Sequence, residues 1–105
     1  MVVEHIVLLK IKSDTSEEQM LKIETGLYNL KTEIPGIIDI SFGADFSGRS
    51  QGFSHGLVVR FESKEASVAY QTHPAHASYR DNVLKPFLGG DAPLVLACDY
   101  EFAKM

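Results

Sequence analysis

Four histidines, together with Tyr70, are the side chains of this 105-residue sequence whose types and spacing best suit acid–base chemistry. Imidazole exchanges a proton near neutral pH, and a phenol can donate a hydrogen bond to a developing oxyanion. Tyr70 lies one helical turn before His73, and Pro74-Ala75 separates His73 from His76. If the chain after Pro74 folds back over a sheet, Tyr70 and His76 face the same layer and form a candidate catalytic pair.

The elements that must position these side chains are visible in the hydrophobic pattern. Strands are predicted at residues 2–12, 37–46, 53–61 and 93–102. The first helix is predicted at about 16–33, after a capping box in which Thr15 and Glu18 bond reciprocally. One apolar stripe follows this helix at spacings of three and four and is formed by Met20, Ile23, Leu27, Leu30 and Ile34.

A second helix is predicted after the N-cap Ser63, running towards Thr72. His73-Pro74 interrupts it, because proline disfavours helix at the residue before it, and a short helix is predicted at about 76–87. The complete order is β-α-β-β-α-β. It predicts an α+β, ferredoxin-like fold with an antiparallel four-stranded sheet.

In that fold the first and third strands are neighbours at the centre of the sheet. His5 and His55 both occupy odd positions of these strands, so we expect them on one face. They would share it with Val7, Leu9 and Leu57. This face is assigned to the helices, and an apolar cavity there with converging imidazoles and a phenol is the default binding site. His73 is a further candidate for its wall.

Plainer interpretations of each histidine remain open. Buried His5 and His55 can be core residues with satisfied hydrogen bonds, and His73 can be a helix cap exposed to solvent. A metal site is not expected, because a proline separates His73 from His76 and no acidic residue lies in that cluster. The sequence also has no glycine-rich phosphate loop, nucleophile elbow or paired-cysteine motif.

The even face of the first strand, which includes Ile6 and Leu8, is apolar as well. Both helices of a ferredoxin-like fold lie on one side of the sheet, so this second face needs another cover. A second copy related by a two-fold axis is the simplest one. The sequence therefore predicts a homodimer formed through the sheet face.

Composition and charge limit the classes of protein to which this sequence can belong. A net charge of −4, with scattered Lys and Arg, argues against nucleic-acid binding. No apolar run is long enough for a membrane helix, and the N-terminus lacks the basic region of a signal peptide, so a cytoplasmic protein is expected. The length predicts one domain over residues 1–105. The single cysteine, Cys98, sits in an apolar run and is expected to be buried.

Several motifs resemble the stress-responsive dimeric α/β-barrel (Dabb) family across nearly the whole chain. They are the N-terminal His5-Ile6-Val7-Leu8-Leu9-Lys10, Gly52-Phe53-Ser54-His55, Tyr70 followed by His73-Pro74-Ala75-His76, and the closing Cys98-Asp99-Tyr100. The resemblance implies a homodimer whose sheets pack into a barrel, and a pocket between sheet and helices in each protomer. Most members have no assigned activity.

One branch of that family, the olivetolic acid cyclases, folds linear polyketides by aldol condensation without a cofactor. The resemblance implies that the acid–base tyrosine and histidine of that branch match Tyr70 and His76. The first helix departs from the branch, since it offers Ile23-Glu24 and Leu27-Tyr28 where the cyclase is richer in aromatics. A polyketide substrate is therefore not carried over.

Three hypotheses follow. The first is a cofactor-free, lyase- or cyclase-like enzyme in which His76 removes a proton from a small hydrophobic carbonyl compound and Tyr70 donates to the resulting oxyanion. In this hypothesis, His5 and His55 orient the substrate or relay a proton. The second is a non-catalytic dimer that binds a small hydrophobic molecule or protects under stress. The third, cofactor-free monooxygenase chemistry, rests on analogy of fold alone.

Overall fold

The computed structural model describes residues 1–103 and confirms the predicted order of elements. Its four strands are β1 (Val2–Leu9), β2 (Ile37–Ala44), β3 (His55–Phe61) and β4 (Val95–Phe102). Its helices are α1 (Glu17–Glu33), α2 (Lys64–Thr72) and α3 (Pro74–Tyr79), and α3 is followed by a π turn (Arg80–Leu84) and a 3₁₀ turn (Lys85–Phe87).

The strands form one antiparallel sheet in the order β2-β3-β1-β4, with β1 and β3 at its centre as predicted. Directly opposite residues of an antiparallel pair share a face. His5 lies opposite Val59 of β3 and opposite Asp99 of β4, whereas His55 lies opposite Leu9. All of these belong to the odd face, which is the face covered by the helices.

The core lies between the odd face and α1. The predicted apolar stripe of α1 is buried there, with Ile23, Leu27, Leu30 and Ile34 all at most 2% exposed. Val59 and Phe61 of β3 are fully buried in the same cluster. Burying each such side chain contributes about 1.5–3 kcal/mol, so this layer fixes the sheet against the helix.

The start of α1 differs from the prediction by one residue. Ser16 is the N-cap, and its capping box is completed by Gln19 rather than by Glu18. The Thr15 hydroxyl instead donates to the carbonyl oxygen of Lys12 at 2.6 Å. This bond closes the turn before the helix, so Thr15 is not available as the cap.

The link between α2 and α3 also corrects the sequence prediction. Ser63 caps α2 as expected, but α3 begins at Pro74 rather than at residue 76. Proline suits the first helical position, where its missing N–H would have no partner. Nδ1 of His73 accepts a hydrogen bond from the Ala75 amide at 3.1 Å and caps the new helix.

No helix of the described residues covers the even face of the sheet. Leu96 and Tyr100 of the edge strand β4 are each 47% exposed on it. Cys98 lies between them, opposite Ile6, and is exposed, so the expectation of a buried cysteine is wrong. Within residues 1–103, no helix has the length and apolar character that crossing a membrane requires.

Candidate functional site

A cavity of about 250 Å³ lies between the odd face of the sheet and the α2–α3 region. The sequence analysis named eight candidate residues, and six of them line it: His5, Val7, Leu9, Leu57, Tyr70 and His76. The aliphatic members come from the two central strands. Tyr70 and His76 enter from the opposite side because the break at Pro74 turns the chain back over the sheet.

Tyr70 and His76 stack on each other in this cavity. Their ring centroids are 4.0 Å apart and their planes are inclined by 30°. Tyr70 also meets Phe61 edge-on at 5.0 Å and His5 at 6.0 Å. The Tyr70 ring is therefore held by aromatic contacts on several sides, and His76 stacks on this fixed ring.

Burial adjusts the proton affinity of both groups. It raises the pKa of Tyr70 to about 12, so the phenol remains protonated and able to donate at neutral pH. It lowers the pKa of His76 below its ordinary value; the backbone of Gln71 acts in the opposite direction and the charge of Arg80 in the same direction. The imidazole of His76 is thus neutral at physiological pH, the form in which a ring nitrogen can accept a proton.

Nδ1 of His76 has an unusual environment. It is buried and makes no hydrogen bond to any residue of the described chain. An unpaired buried polar atom costs about 1–3 kcal/mol, so a native protein normally satisfies it or uses it. This nitrogen is available to a ligand or to an ordered water molecule.

His5 is held by a partner on the neighbouring strand. Its Nδ1 forms a hydrogen bond with the carboxylate of Asp99, which lies directly opposite on β4. The His5 side chain is 10% exposed and that of Asp99 is 53% exposed. A carboxylate in this position fixes the orientation of the imidazole and favours the proton on Nδ1, which leaves Nε2 as the acceptor.

His55 and His73 do not reach the cavity. His55 shares the odd face with His5 but lies four residues further along the sheet, which is about 13 Å at the rise of a strand. There it stacks on Phe42 at 5.3 Å, accompanied by a contact from its Nδ1 to the Ser54 hydroxyl at 2.8 Å. Burial lowers its pKa. His73 serves as the cap of α3.

Nine further lining residues were not predicted from the sequence, and Tyr79, Arg80 and Lys85 are the most informative of them. Tyr79 is buried, and its hydroxyl donates to the carbonyl oxygen of Ile23 at 2.8 Å. Arg80 and Lys85, at the two ends of the π turn, bring positive charge to the cavity. The sequence places Arg80 and Lys85 shortly after His76, which is the one feature that could have identified them. The direction of their side chains depends on the π turn, in which the Lys85 amide donates to the Arg80 carbonyl oxygen.

The donor set of the site suits proton transfer. Across residues 1–103, no three His, Cys, Asp or Glu side chains converge as potential metal ligands. The cavity brings together the imidazoles of His5 and His76, the phenols of Tyr70 and Tyr79, and an apolar wall. These groups can bind a small compound, hold a proton and donate a hydrogen bond.

A family model for the stress responsive A/B barrel domain (Dabb) matches residues 3–102. The chain belongs to this family. Among curated proteins, this A/B barrel domain is 35% identical over 78 residues to a stress-response A/B barrel domain-containing protein of Arabidopsis thaliana, covering 71% of this chain and 68% of the relative. It is 34% identical over 83 residues to olivetolic acid cyclase of Cannabis sativa, covering 77% and 82%.

Solved structures agree with the fold. A crystal structure of an Arabidopsis thaliana protein matches the A/B barrel domain with a TM-score of 0.82 at 31% identity, covering 98% of this chain and 97% of that one. A dimeric ferredoxin-like protein of unknown function from Jannaschia sp. matches with a TM-score of 0.79 at 25% identity, covering 97% and 100%. The ferredoxin-like architecture predicted from the sequence is thereby confirmed.

Proposed function

We propose that this A/B barrel domain is a cofactor-free acid–base catalyst acting on a small hydrophobic carbonyl compound. The observation that carries the proposal is the stack of Tyr70 on His76 inside an apolar cavity. Burial acts on the two groups in complementary ways, since it keeps the phenol protonated and the imidazole neutral. A pair with one donor and one base is what enolisation requires.

In the proposed reaction, His76 removes a proton from the carbon next to the carbonyl group. Tyr70 donates a hydrogen bond to the carbonyl oxygen as negative charge develops there. His5, oriented by Asp99, assists from the sheet side by positioning the substrate or relaying a proton. The aliphatic wall excludes water, which strengthens these electrostatic interactions. The similarity to olivetolic acid cyclase supports carbonyl chemistry at this site without specifying the substrate.

The test is deuterium exchange at the carbon atoms beside the carbonyl of 2-heptanone, followed by NMR in heavy water. We expect the wild-type protein to accelerate exchange, and Tyr70→Phe and His76→Gln each to reduce it about 100-fold, the lower end for a general acid or base. Tyr28→Phe is the matched control, because this phenol lies partly exposed on α1, outside the cavity. Unchanged exchange in both cavity variants would contradict the proposal.

The second candidate function is non-catalytic binding of a small hydrophobic molecule. The predominantly aliphatic wall of the cavity favours it. It predicts that 2-heptanone saturates the wild-type protein, detected by NMR shifts, while its exchange rate stays at the solvent value. That combination would replace the enzymatic proposal.

The functional unit proposed here is a homodimer formed through the even face of the sheet. Leu96 and Tyr100 are exposed on this face beside the apolar side chains of Ile6 and Leu8. A contiguous apolar sheet surface normally marks an interface. The description of the Jannaschia structure as a dimeric ferredoxin-like protein supports the same assembly.

A further inference from the structure

The mouth of the cavity is positively charged although the chain as a whole is negative. Arg80 and Lys85 both line the cavity, and no aspartate or glutamate belongs to its lining in the described chain. The net charge of the chain is −4. Positive charge at the entrance of an apolar cavity is therefore a local feature, not a consequence of overall composition.

The acidic residue nearest to these two cations is Asp81. Its carboxylate lies 3.1 Å from Nε of Arg80 and 3.3 Å from Nζ of Lys85. One carboxylate neutralises one of the two cations, so the three side chains together carry a charge of +1. Asp81 engages the guanidinium through Nε, and the terminal amino groups of Arg80 can therefore donate to a second anion.

Arg80 is close to the proposed catalytic pair as well as to solvent. It follows His76 by one helical turn, and its backbone amide bonds to the carbonyl oxygens of Ala77 and His76. Its side chain is 42% exposed. The effect of its charge on the His76 imidazole agrees with this proximity. The guanidinium thus borders both the solvent and the apolar interior of the cavity.

We propose that the natural ligand carries a carboxylate on an apolar body, and that Arg80 binds this carboxylate at the cavity mouth. The inference names the substrate class of the site proposed above and rests on that proposal for its catalytic meaning. A guanidinium fork matches the planar geometry of a carboxylate. With the carboxylate at Arg80, the aliphatic body extends inwards towards Leu9 and Leu57, past Tyr70 and His76.

Lys85 has a secondary role in this arrangement. Its side chain is 61% exposed and its ammonium group is a mobile point charge, which attracts an anion without fixing its orientation. It raises the local concentration of the ligand, while Arg80 determines how the ligand sits. The neutral imidazole of His76 does not compete with Arg80 for the anion.

The experiment compares octanoate with 2-nonanone, a neutral ketone with the same heptyl tail and a methyl group in place of the charged oxygen, in NMR titrations of the labelled protein. The protons beside the carboxylate of octanoate are far less acidic than those beside a ketone, so octanoate is not enolised and the result is independent of turnover. We expect Arg80→Gln to weaken octanoate binding about tenfold, as for one charge-assisted hydrogen bond near the surface. The affinity for 2-nonanone should change less than twofold, so that the neutral ketone serves as the reference for the loss of octanoate affinity.

Two further variants control the comparison. Arg80→Lys keeps the charge and loses the fork, so it should restore only part of the octanoate affinity. Arg49→Gln removes the same charge from the exposed loop between β2 and β3 and should leave both affinities unchanged. Equal losses for octanoate and 2-nonanone in Arg80→Gln, or no loss for either, would overturn the inference.

A titration with octyl phosphate distinguishes a site for a carboxylate from a site for a phosphate. Tighter binding of this phosphate than of octanoate by the wild-type protein would contradict the assignment of a carboxylate. His76→Gln separates the two proposals: if it abolishes exchange of 2-heptanone and retains the preference for octanoate, both hold. If ketone exchange is absent from the wild type while Arg80→Gln still loses octanoate, the anion site stands and the catalytic proposal fails.

Discussion

Gly26 of α1 lies directly against the ring of Tyr79. A Cβ atom added at this glycine would be 2.9 Å from Cε1 of the tyrosine, closer than real Cβ contacts allow. The ring is also tied to α1 by the hydrogen bond from its hydroxyl to Ile23. The absence of a side chain at residue 26 therefore lets Tyr79 lie back against the helix and leaves the cavity open.

We predict that Gly26→Ala destabilises the protein by roughly 1 kcal/mol. Alanine favours a helix over glycine by about 0.5–1 kcal/mol, but overpacking against a tied aromatic ring costs about 1–3 kcal/mol. Urea denaturation measures the difference. Tyr79→Leu should abolish most of the penalty when combined with Gly26→Ala. A Gly26→Ala protein more stable than the wild type would contradict the close contact.

Stability should depend on pH through the two histidines whose pKa values are lowered by burial, His55 and His76. In the unfolded chain each takes up a proton near pH 6.5, whereas in the folded protein each resists protonation until a lower pH. The unfolded state therefore binds more protons in this window, and stability falls as pH decreases through and below 6.5.

Denaturant titrations at a series of pH values test this dependence. We expect His76→Gln and His55→Gln each to flatten the decline in the free energy of unfolding below pH 6.5. His73→Asn provides the comparison, because asparagine can retain the helix cap while removing an imidazole that lies outside the cavity. A steeper decline in His76→Gln than in the wild type would show that the sign is wrong.

The Asp99 carboxylate should act on the reaction through His5. Asp99→Asn keeps the shape of the side chain but removes the charge that orients the imidazole. We expect deuterium exchange of 2-heptanone to slow about tenfold, in the range found when such an outer partner of a histidine is lost. The pH profile should shift as well, which a purely structural role would not produce.

Glu101→Gln is the control for this substitution, since Glu101 is an exposed carboxylate on the same strand, two residues away. It removes the same charge without touching His5. If both variants slow exchange equally, the effect is a general one of net charge. If neither does, Asp99 has no part in the site.

The proposed dimer can be tested by placing a charge on its interface. Leu96→Arg introduces a buried, unpaired cation if two even faces meet, and should convert the dimer to a species near the 11.6 kDa of one chain in light scattering. Val68→Arg makes the same change at an exposed site of α2, outside that face, and should have no effect. A wild-type protein of monomer mass would refute the interface.

Much of the candidate site can be predicted from the sequence because two of its determinants are local. These are the odd–even alternation of side chains along a strand and the residues at which helices begin and end. The odd positions of β1 and β3 place His5 and Leu57 on one face, and the proline after His73 reverses the chain so that His76 meets Tyr70. This alternation predicts which face of the sheet a residue lies on, but it does not predict which residues of neighbouring strands lie opposite each other. His55 lies on the predicted face of the sheet but outside the cavity, because the register of β1 and β3 places it opposite Leu9 rather than opposite His5.

The remaining misses depend on tertiary context. Cys98 sits in an apolar run, but it lies on an edge strand and faces away from the helices. The direction of Arg80 is set by a π turn, and the placement of Tyr79 by a glycine more than fifty residues earlier. None of these relationships produces a periodic signal in the sequence.

The exposed Cys98 has a practical consequence. It is the only cysteine of the chain, and it lies midway along the edge strand β4 on the even face, opposite Ile6. A maleimide dye therefore labels one defined atom. If the dimer forms through the even face, the rate of labelling reports how often that face is open. Slow labelling at high protein concentration, accelerating on dilution, would turn a single thiol into a gauge of subunit exchange without any engineered probe.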